Sequence, residues 1–428
     1  MEVLPINAIV YNQNKVNMCD VVAPPYDVID SEYQDDLYNR SEFNIVKLIL
    51  TKGENKYEDA KNYFNDWKNK EVLIKTQKPS IFYIIQKYEN EKGKLIERKG
   101  FITRNKIEDF ETKKILPHEF TMGGPKQDRL NLVTATGAFY SQIFMVYDDK
   151  TLAIENKVLP KYLTQKPYID VKDDLGVQNI VYLIDDSEDI KIIQETLADK
   201  TLLIADGHHR YETSMNYAKA HKDNEYAQYV MSYFTNAADE NLVIYPTHRI
   251  IEKEINSKEL LEKVLKYYEI DEIEYILDNK EEKKEEFLNK IEEENQKQIT
   301  TGLIIKGLNK YFVLKLKAGV KETINTPEAL QNLDLTVLHE LILKKELNYT
   351  QEELMAQNKV KYEKREQTAF NSIEENSEIK ANACFIMAYP KMKDIINISQ
   401  KGHRMPQKST YFYPKLLSGI VINPLNGD

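Results

Sequence analysis

Apolar positions along the chain recur in two rhythms. Tyr57, Ala60, Phe64 and Trp67 fall on one stripe of residues 55–74, which predicts an amphipathic helix that buries its aromatics. Tyr211, Met215 and Ala218 repeat that spacing in 211–221, and Leu335, Leu338 and Ile342 repeat it in 333–347, where His339 reads as structural. Short continuous apolar runs predict buried strands at 43–50, 81–88, 95–103, 141–147, 180–184, 201–205, 229–234, 242–245, 302–306, 311–317, 383–388 and 419–422. The runs at 81–88 and 95–103 meet across Glu91-Lys92-Gly93-Lys94, a hairpin loop, and 302–306 pairs with 311–317. Strands alternating with helices predict an α+β protein of mixed α/β layers.

At 428 residues the chain exceeds one ordinary core. We read 1–250 as a main α/β domain carrying most of the chemistry-bearing motifs. Residues 251–325, rich in Glu and Lys, read as a smaller, solvated α/β subdomain without chemistry, with two helices and a β segment near 273–276. Residues 326–428 read as a C-terminal segment that returns a basic loop to the site. Cys19 and Cys384 are the only cysteines, which excludes a disulfide framework and predicts a cytoplasmic setting. No signal peptide is visible at the start, and no run of about 18 apolar residues is present for a membrane span. A net charge of −10 disfavours DNA as a partner and leaves room for a local basic pocket.

Charge usage sharpens this picture. Only eight arginines stand against 51 lysines, and Arg129, Arg210, Arg249 and Arg404 lie in or beside the same short polar clusters as His118, His208, His209, His248 and His403. A chain that otherwise uses lysine for charge has placed the forked guanidinium there.

The densest cluster is Asp206-Gly207-His208-His209-Arg210, between a predicted strand and a predicted helix. Asp206 suits an N-cap, Gly207 a tight turn, the helix start an anion, and Arg210 a phosphate or carboxylate. His208 and His209 can move protons near neutral pH. Residues 116–130 read as a glycine- and proline-rich loop carrying His118, Glu119, Thr121, Lys126, Asp128 and Arg129. Pro246-Thr247-His248-Arg249 reads as a strand ending in a displayed site edge. The double proline before Tyr26 and Asp27 reads as a rigid turn that either braces a loop or displays those two side chains. The tail segment 402–415 spaces Gly402 and Lys408-Ser409 like a P-loop. Gln407 replaces the second glycine and Pro406 removes an N–H, so His403, Arg404 and Lys408 are read as a basic anion loop instead.

The motifs APPYDVI, HEFTMGGPKQDRL, ADGHHRYET, YPTHRI and MPQKSTYFYPK together resemble a bacterial and archaeal family catalogued as a domain of unknown function, from residue 23 to residue 415. Genes of that family often lie beside those for serine biosynthesis. Asp206-Gly207-His208-His209-Arg210 alone is similar to the signature of the ParB/sulfiredoxin-like superfamily, which includes free-serine kinases and nucleotide-binding partition proteins. The resemblance implies a ParB/sulfiredoxin-like core around that turn, phosphate binding by it, a nucleotide (ADP or ATP), and a glutamate as base, for which Glu119 is the candidate.

The function that follows is a cytoplasmic, nucleotide-dependent phosphotransferase acting on a small metabolite such as serine or phosphoserine. Glu119, Asp206, His208 and His209 would be catalytic. His118, Lys126, Arg129, Gly207, Arg210, His248, Arg249, His403, Arg404 and Lys408 would bind phosphate or substrate. Asp206 would hold Mg²⁺. A phosphoserine-type phosphatase and a non-enzymatic nucleotide or effector sensor are the alternatives, and the oligomeric state is left open. All of it requires the loop of His118 and the tail of Arg404 to converge on the turn at Asp206.

Overall fold

The computed structural model describes residues 1–91, 93–120, 123–356, 359–406 and 408–425. Thr121 and Gln407, and Lys92 of the first hairpin loop, lie outside the described residues. The chain divides into two units. Met1–Pro117, Thr121–Val243 and Phe412–Asp428 form the first, and His118–Phe120 with Ile244–Tyr411 form the second.

The first unit is built on a mixed sheet. Its strands run in the order Ile115–Pro117, Leu202–Asp206, Ile143–Tyr147, Tyr229–Asn236, Leu95–Lys106, Ile81–Glu89, Gln178–Ile184 and Ile169–Lys172, with Val3–Leu4 also on Leu95–Lys106. Leu202–Asp206 runs parallel to Ile115–Pro117 and antiparallel to Ile143–Tyr147. The predicted hairpin forms, with Glu89 opposite Leu95. Period-two alternation divides its faces. Tyr83, Ile85, Phe101, Met145, Ile204 and Phe234 pack with Ile193 and Leu197 of the helix Ser187–Leu197 and with Tyr211 and Met215 of the helix His208–Ala220. On the other face Phe412 and Tyr413 pack down, with the rings of Phe144 and Phe412 5.5 Å apart and those of Tyr88 and Tyr413 4.9 Å apart.

Several local readings change. Residues 43–50 hold the short helix Val46–Ile49, because the Asn44 side chain accepts from the Val46 N–H (2.9 Å) and donates to the Asp20 carbonyl (2.8 Å), which bends the run out of extension. The stripe at Ala60, Phe64 and Trp67 is buried on the helix Lys56–Asn69. Most of the predicted loop 116–130 is the helix Gly123–Thr136, with Pro125 in its first turn, where a missing N–H costs nothing. Residues 419–422 form no strand. Ile422 bridges Ile9 alone, and the terminal pairing is Asn423–Pro424 on Ala138–Phe139.

The second unit is an antiparallel sheet, ordered Tyr268–Glu274, Lys310–Leu316, Thr300–Ile305, Ala383–Ile386, His248–Ile251 and Val360–Glu363. Both faces are covered. Leu303, Ile305, Phe312, Leu314 and Phe385 face the helices Ser257–Leu265 and Leu338–Glu346, while Ile304, Tyr311, Val313, Cys384 and Ile386 face Lys280–Glu294 and Glu366–Asn371. A side chain at Gly302 would come within 2.5 Å of Ile291 and Phe287, so glycine lets the helix lie close on the sheet. Residues 251–325, expected as a solvated subdomain, thus share one buried sheet with Ala383–Ile386 and Val360–Glu363. Each such fully buried aliphatic side chain contributes roughly 1.5–3 kcal/mol. No helix among the described residues is long and apolar enough to cross a membrane.

Candidate functional site

In the first unit the strand–turn–helix forms as predicted, with one change. Asp206 is the last strand residue and Gly207 is the N-cap, at φ +91°, a conformation that glycine adopts without strain. A register shift between Ile204 and Asp206 marks a bulge at the strand end, which re-aims the Asp206 side chain. Its carboxylate is held by two side-chain cations. Oδ2 accepts from Arg210 (2.7 Å) and Oδ1 from Lys415 (2.9 Å). Burial opposes ionisation of Asp206, but Lys415, Arg210 and His208 hold its pKa well below the usual carboxylate range. Asp206 is therefore ionised and committed to two cations, and Mg²⁺ binding by it does not fit this arrangement. Among the described residues no group of three or more His, Cys, Asp or Glu could hold a metal ion.

The helix that follows is pinned at its start. Tyr211 donates to the Glu108 carbonyl (2.8 Å), and the hydroxyls of Thr213 and Ser214 donate back to the carbonyls of His209 and Arg210 (2.8 and 2.9 Å). Arg210 also donates to the Gln142 carbonyl, and its guanidinium lies 3.0 Å from where a Gly207 Cβ would stand. His208 is buried. His209 is half-buried, and burial with Lys126 and Arg210 lowers its pKa against the opposing pull of Glu212 and Asp27, so the ring is neutral at pH 7.

The helix Gly123–Thr136 packs beside it. Lys126 pairs with Glu212. Asp128 accepts from Lys56 (2.6 Å), Tyr57 (2.8 Å) and Arg129 (Nε, 2.9 Å). Burial would raise the Asp128 carboxyl, but Arg129, Lys56 and Tyr57 bring it down to about 2. Arg129 also donates to the Ile49 carbonyl (2.6 Å) and stacks on the Tyr26 ring, 4.1 Å from its centre. Tyr26 is thus part of the cluster, presented by the turn Tyr26–Val28 after the double proline. Arg129, Arg210, Tyr26, Ser141 and Thr213 line a shared cavity of about 50 Å³. The first unit therefore collects Tyr26, Asp27, Lys56, Lys126, Asp128, Arg129, Asp206, His209, Arg210, Glu212 and Lys415. Sequence reasoning left Lys56 and Lys415 out of the site, though Lys415 closes the MPQKSTYFYPK motif.

The other predicted residues fall in the second unit. Pro246-Thr247-His248-Arg249 is not a displayed edge. His248 and Arg249 lie inside the strand His248–Ile251 and are 3% and 0% exposed. The chain needs both for cohesion. His248 Nδ1 accepts the Met387 N–H (3.1 Å), and burial and Arg249 push its pKa down to about 3. Arg249 donates to His339 Nε2 (3.1 Å), to Thr247 and to the Lys408 carbonyl (3.2 Å), over the Tyr362 ring at 4.0 Å. Burial lowers Arg249 to about 10. His118 shares a hydrogen bond with Thr410 (2.9 Å) and Glu119 Oε1 accepts the Ser409 N–H (3.2 Å), while Arg404 donates to the Glu119 carbonyl (2.9 Å). His403 follows the helix Met392–Gln400 and its N–H closes on the Ile398 carbonyl (3.1 Å). Lys408, at φ +55°, contributes its carbonyl to Thr247 and Arg249. These residues knit three strand and loop segments together within one unit.

A model of the family described as "Protein of unknown function (DUF1015)" matches residues 3–336. The chain belongs to the DUF1015 family. No curated protein matches it in sequence. Among solved structures this DUF1015 chain is similar to one described as a free serine kinase in complex with AMP, at 16% identity and a TM-score of 0.36, over 73% of this chain and 89% of that one. It is also similar to a conserved hypothetical protein from Pyrococcus furiosus (16% identity, TM-score 0.34, 73% and 93% covered). A third is SbnI with C-terminal truncation from Staphylococcus aureus (9% identity, TM-score 0.35, 75% and 86% covered).

Proposed function

We propose that the protein is a nucleotide-dependent phosphotransferase acting on the hydroxyl of a small metabolite such as serine. One observation carries the reading. In an acidic chain, five cations (Lys56, Lys126, Arg129, Arg210 and Lys415) gather with four carboxylates at the start of the helix His208–Ala220, beside an imidazole that is neutral at pH 7. Phosphoryl transfer asks for positioned positive charge on the phosphate oxygens and a base for the attacking hydroxyl. The similarity of Asp206-Gly207-His208-His209-Arg210 to the free-serine-kinase signature supports the same reading.

In this scheme Lys126, Arg129 and Arg210, at the start of the helix, hold the phosphates. His209 takes the hydroxyl proton as the substrate oxygen bonds to the terminal phosphorus and the bond from that phosphorus to the bridging oxygen breaks, releasing ADP from ATP or AMP from ADP. Asp206 keeps Arg210 and Lys415 in place. It is too weak a base to take a proton itself. Glu119, proposed as base from sequence, accepts the Ser409 N–H, so the role passes to His209.

The test is incubation of the purified chain with ATP or ADP and L-serine, with O-phosphoserine read by ³¹P NMR. Product is expected from the wild type and none from His209→Ala or Arg210→Ala. Full turnover in both variants removes this cluster from the chemistry. Saturable nucleotide binding without product favours the sensor reading instead.

A further inference from the structure

The second unit holds a cavity of about 460 Å³, lined in part by Pro246 and Thr247 of YPTHRI and by Met405 and Ser409 of MPQKSTYFYPK. It lies where the strand Lys310–Leu316 ends, beside the start of the helix Asp334–Val337 and the segment between the strand Ala383–Ile386 and the helix Met392–Gln400. Its volume is that of an ordinary metabolite site. Part of the wall is apolar, from Leu316, Leu335, Met387 and Ile395, and part is charged.

The charged part includes the Asp334 carboxylate. Asp334 Oδ1 accepts the Leu335 N–H (2.6 Å), the Ala388 N–H also acts on the carboxylate, and Oδ2 is buried without a close hydrogen bond of its own. No lysine or arginine among the described residues pairs with Asp334. The cationic Arg249 in the same unit sends its N–H groups to His339, Thr247 and the Lys408 carbonyl. Burial raises the Asp334 carboxyl to about 6, against the pull of the Leu335 and Ala388 N–H groups and of Arg249. A buried acceptor left unsatisfied costs folding free energy, and native proteins keep few of them without a reason. Asp334 is one of the residues that line the cavity.

Lysines 297, 317, 321 and 391 line the same cavity against Asp334 and Asp394, so the lining is cationic overall. Lys321 donates to Asn332 (2.8 Å) and Lys391 to the Asn295 carbonyl (2.9 Å), which holds both tips in place and leaves each ammonium further N–H groups.

We propose that this cavity binds a small zwitterionic metabolite, whose ammonium group pairs with the Asp334 carboxylate and whose carboxylate or phosphate is taken by Lys321 and Lys391. The site lies wholly within the second unit. It needs no nucleotide and does not rest on the phosphoryl-transfer reading.

The experiment is titration calorimetry on the full chain without nucleotide, using the twenty common L-amino acids, O-phospho-L-serine and phosphoethanolamine as probes. At least one probe is expected to bind saturably. Asp334→Asn, which keeps the acceptor for Leu335 but loses the charge, is expected to weaken it about tenfold or more, as is Lys391→Glu. His209→Ala is expected to leave it unchanged. Lys391 is only partly buried, so its variant decides the matter if Asp334→Asn fails to fold. Binding by no probe overturns the proposal, as does binding unchanged in both variants. Binding lost in His209→Ala and kept in Asp334→Asn moves the ligand to the first unit and overturns it equally.

Discussion

His209-Arg210 and His248-Arg249 are the same dipeptide in two settings. In the first unit it opens a helix, half-buried, with Arg210 held by a carboxylate and a carbonyl beside Lys126 and Arg129. In the second it sits inside a strand with nothing exposed, and Arg249 is held by a neutral imidazole, a hydroxyl, a carbonyl and a tyrosine face. At the helix start the cationic side chains are held by carboxylates. The strand turns the Arg249 guanidinium inward, onto His339, Thr247 and the Lys408 carbonyl. A histidine–arginine pair therefore signals chemistry only through the element that carries it.

The largest effect that separates the two is on stability. Arg249→Ala is expected to cost about 3–4 kcal/mol, because it leaves a cavity beside Tyr362 and orphans acceptors at His339, Thr247 and the Lys408 carbonyl. Denaturant unfolding would measure it. A loss below about 1 kcal/mol would mean that Arg249 is not the brace described here. Arg210→Lys should behave oppositely, with little change in stability and a loss of turnover of about a hundredfold, since a point charge cannot reproduce the forked contact. Equal stability losses in the two variants would erase the contrast.

This contrast also explains what the sequence disclosed. Continuous apolar runs such as 81–88 and 311–317 are strands buried on both faces, and the aromatic stripe 57–67 is on a helix that buries one face. The turn at 206–210 was legible because Gly207 and the charged residues lie close in sequence. The chain also shows Arg249 and Arg404 in polar clusters, but not that their donors end on backbone carbonyls and rings. That depends on long-range pairing, of His248–Ile251 with Val360–Glu363 and of 118–119 with 404–410. Lys415 was missed for the same reason, being 209 residues from Asp206. Residues 116–130 were misread because glycine and proline signal loops on average, yet both are tolerated in a first helical turn.

A smaller effect tests whether the turn itself shapes Arg210. Gly207→Ala places a Cβ at φ +91° and 3.0 Å from the guanidinium. The expected cost is about 1–2 kcal/mol, together with a displaced Arg210 and weaker nucleotide binding. Glycine at 307, also at positive φ but with nothing near its Cβ, is the control, for which alanine should cost backbone strain and no binding. Equal binding losses at both positions would show that stability alone, and not the Arg210 contact, sets affinity.

The smallest effect is a pH dependence that marks the first unit's carboxylates as ion-paired. The folded Asp128 carboxyl is held at about 2, below its unfolded value near 3.8, by Arg129, Lys56 and Tyr57 against the opposing effect of burial. The folded state thus binds the proton less readily. Its stabilisation is fully present above pH 4 and is lost as pH falls toward about 2. With the side chain partly exposed and Lys56 in solvent, about 1 kcal/mol is expected after screening. Asp128→Asn should therefore lower stability by that amount at pH 7 and by progressively less between pH 4 and pH 2, measured as the difference in unfolding midpoint from wild type. A difference constant across that range would mean that Asp128 acts through packing and neutral hydrogen bonds, and the cation cluster around Arg129 would lose one of the charges that organises it.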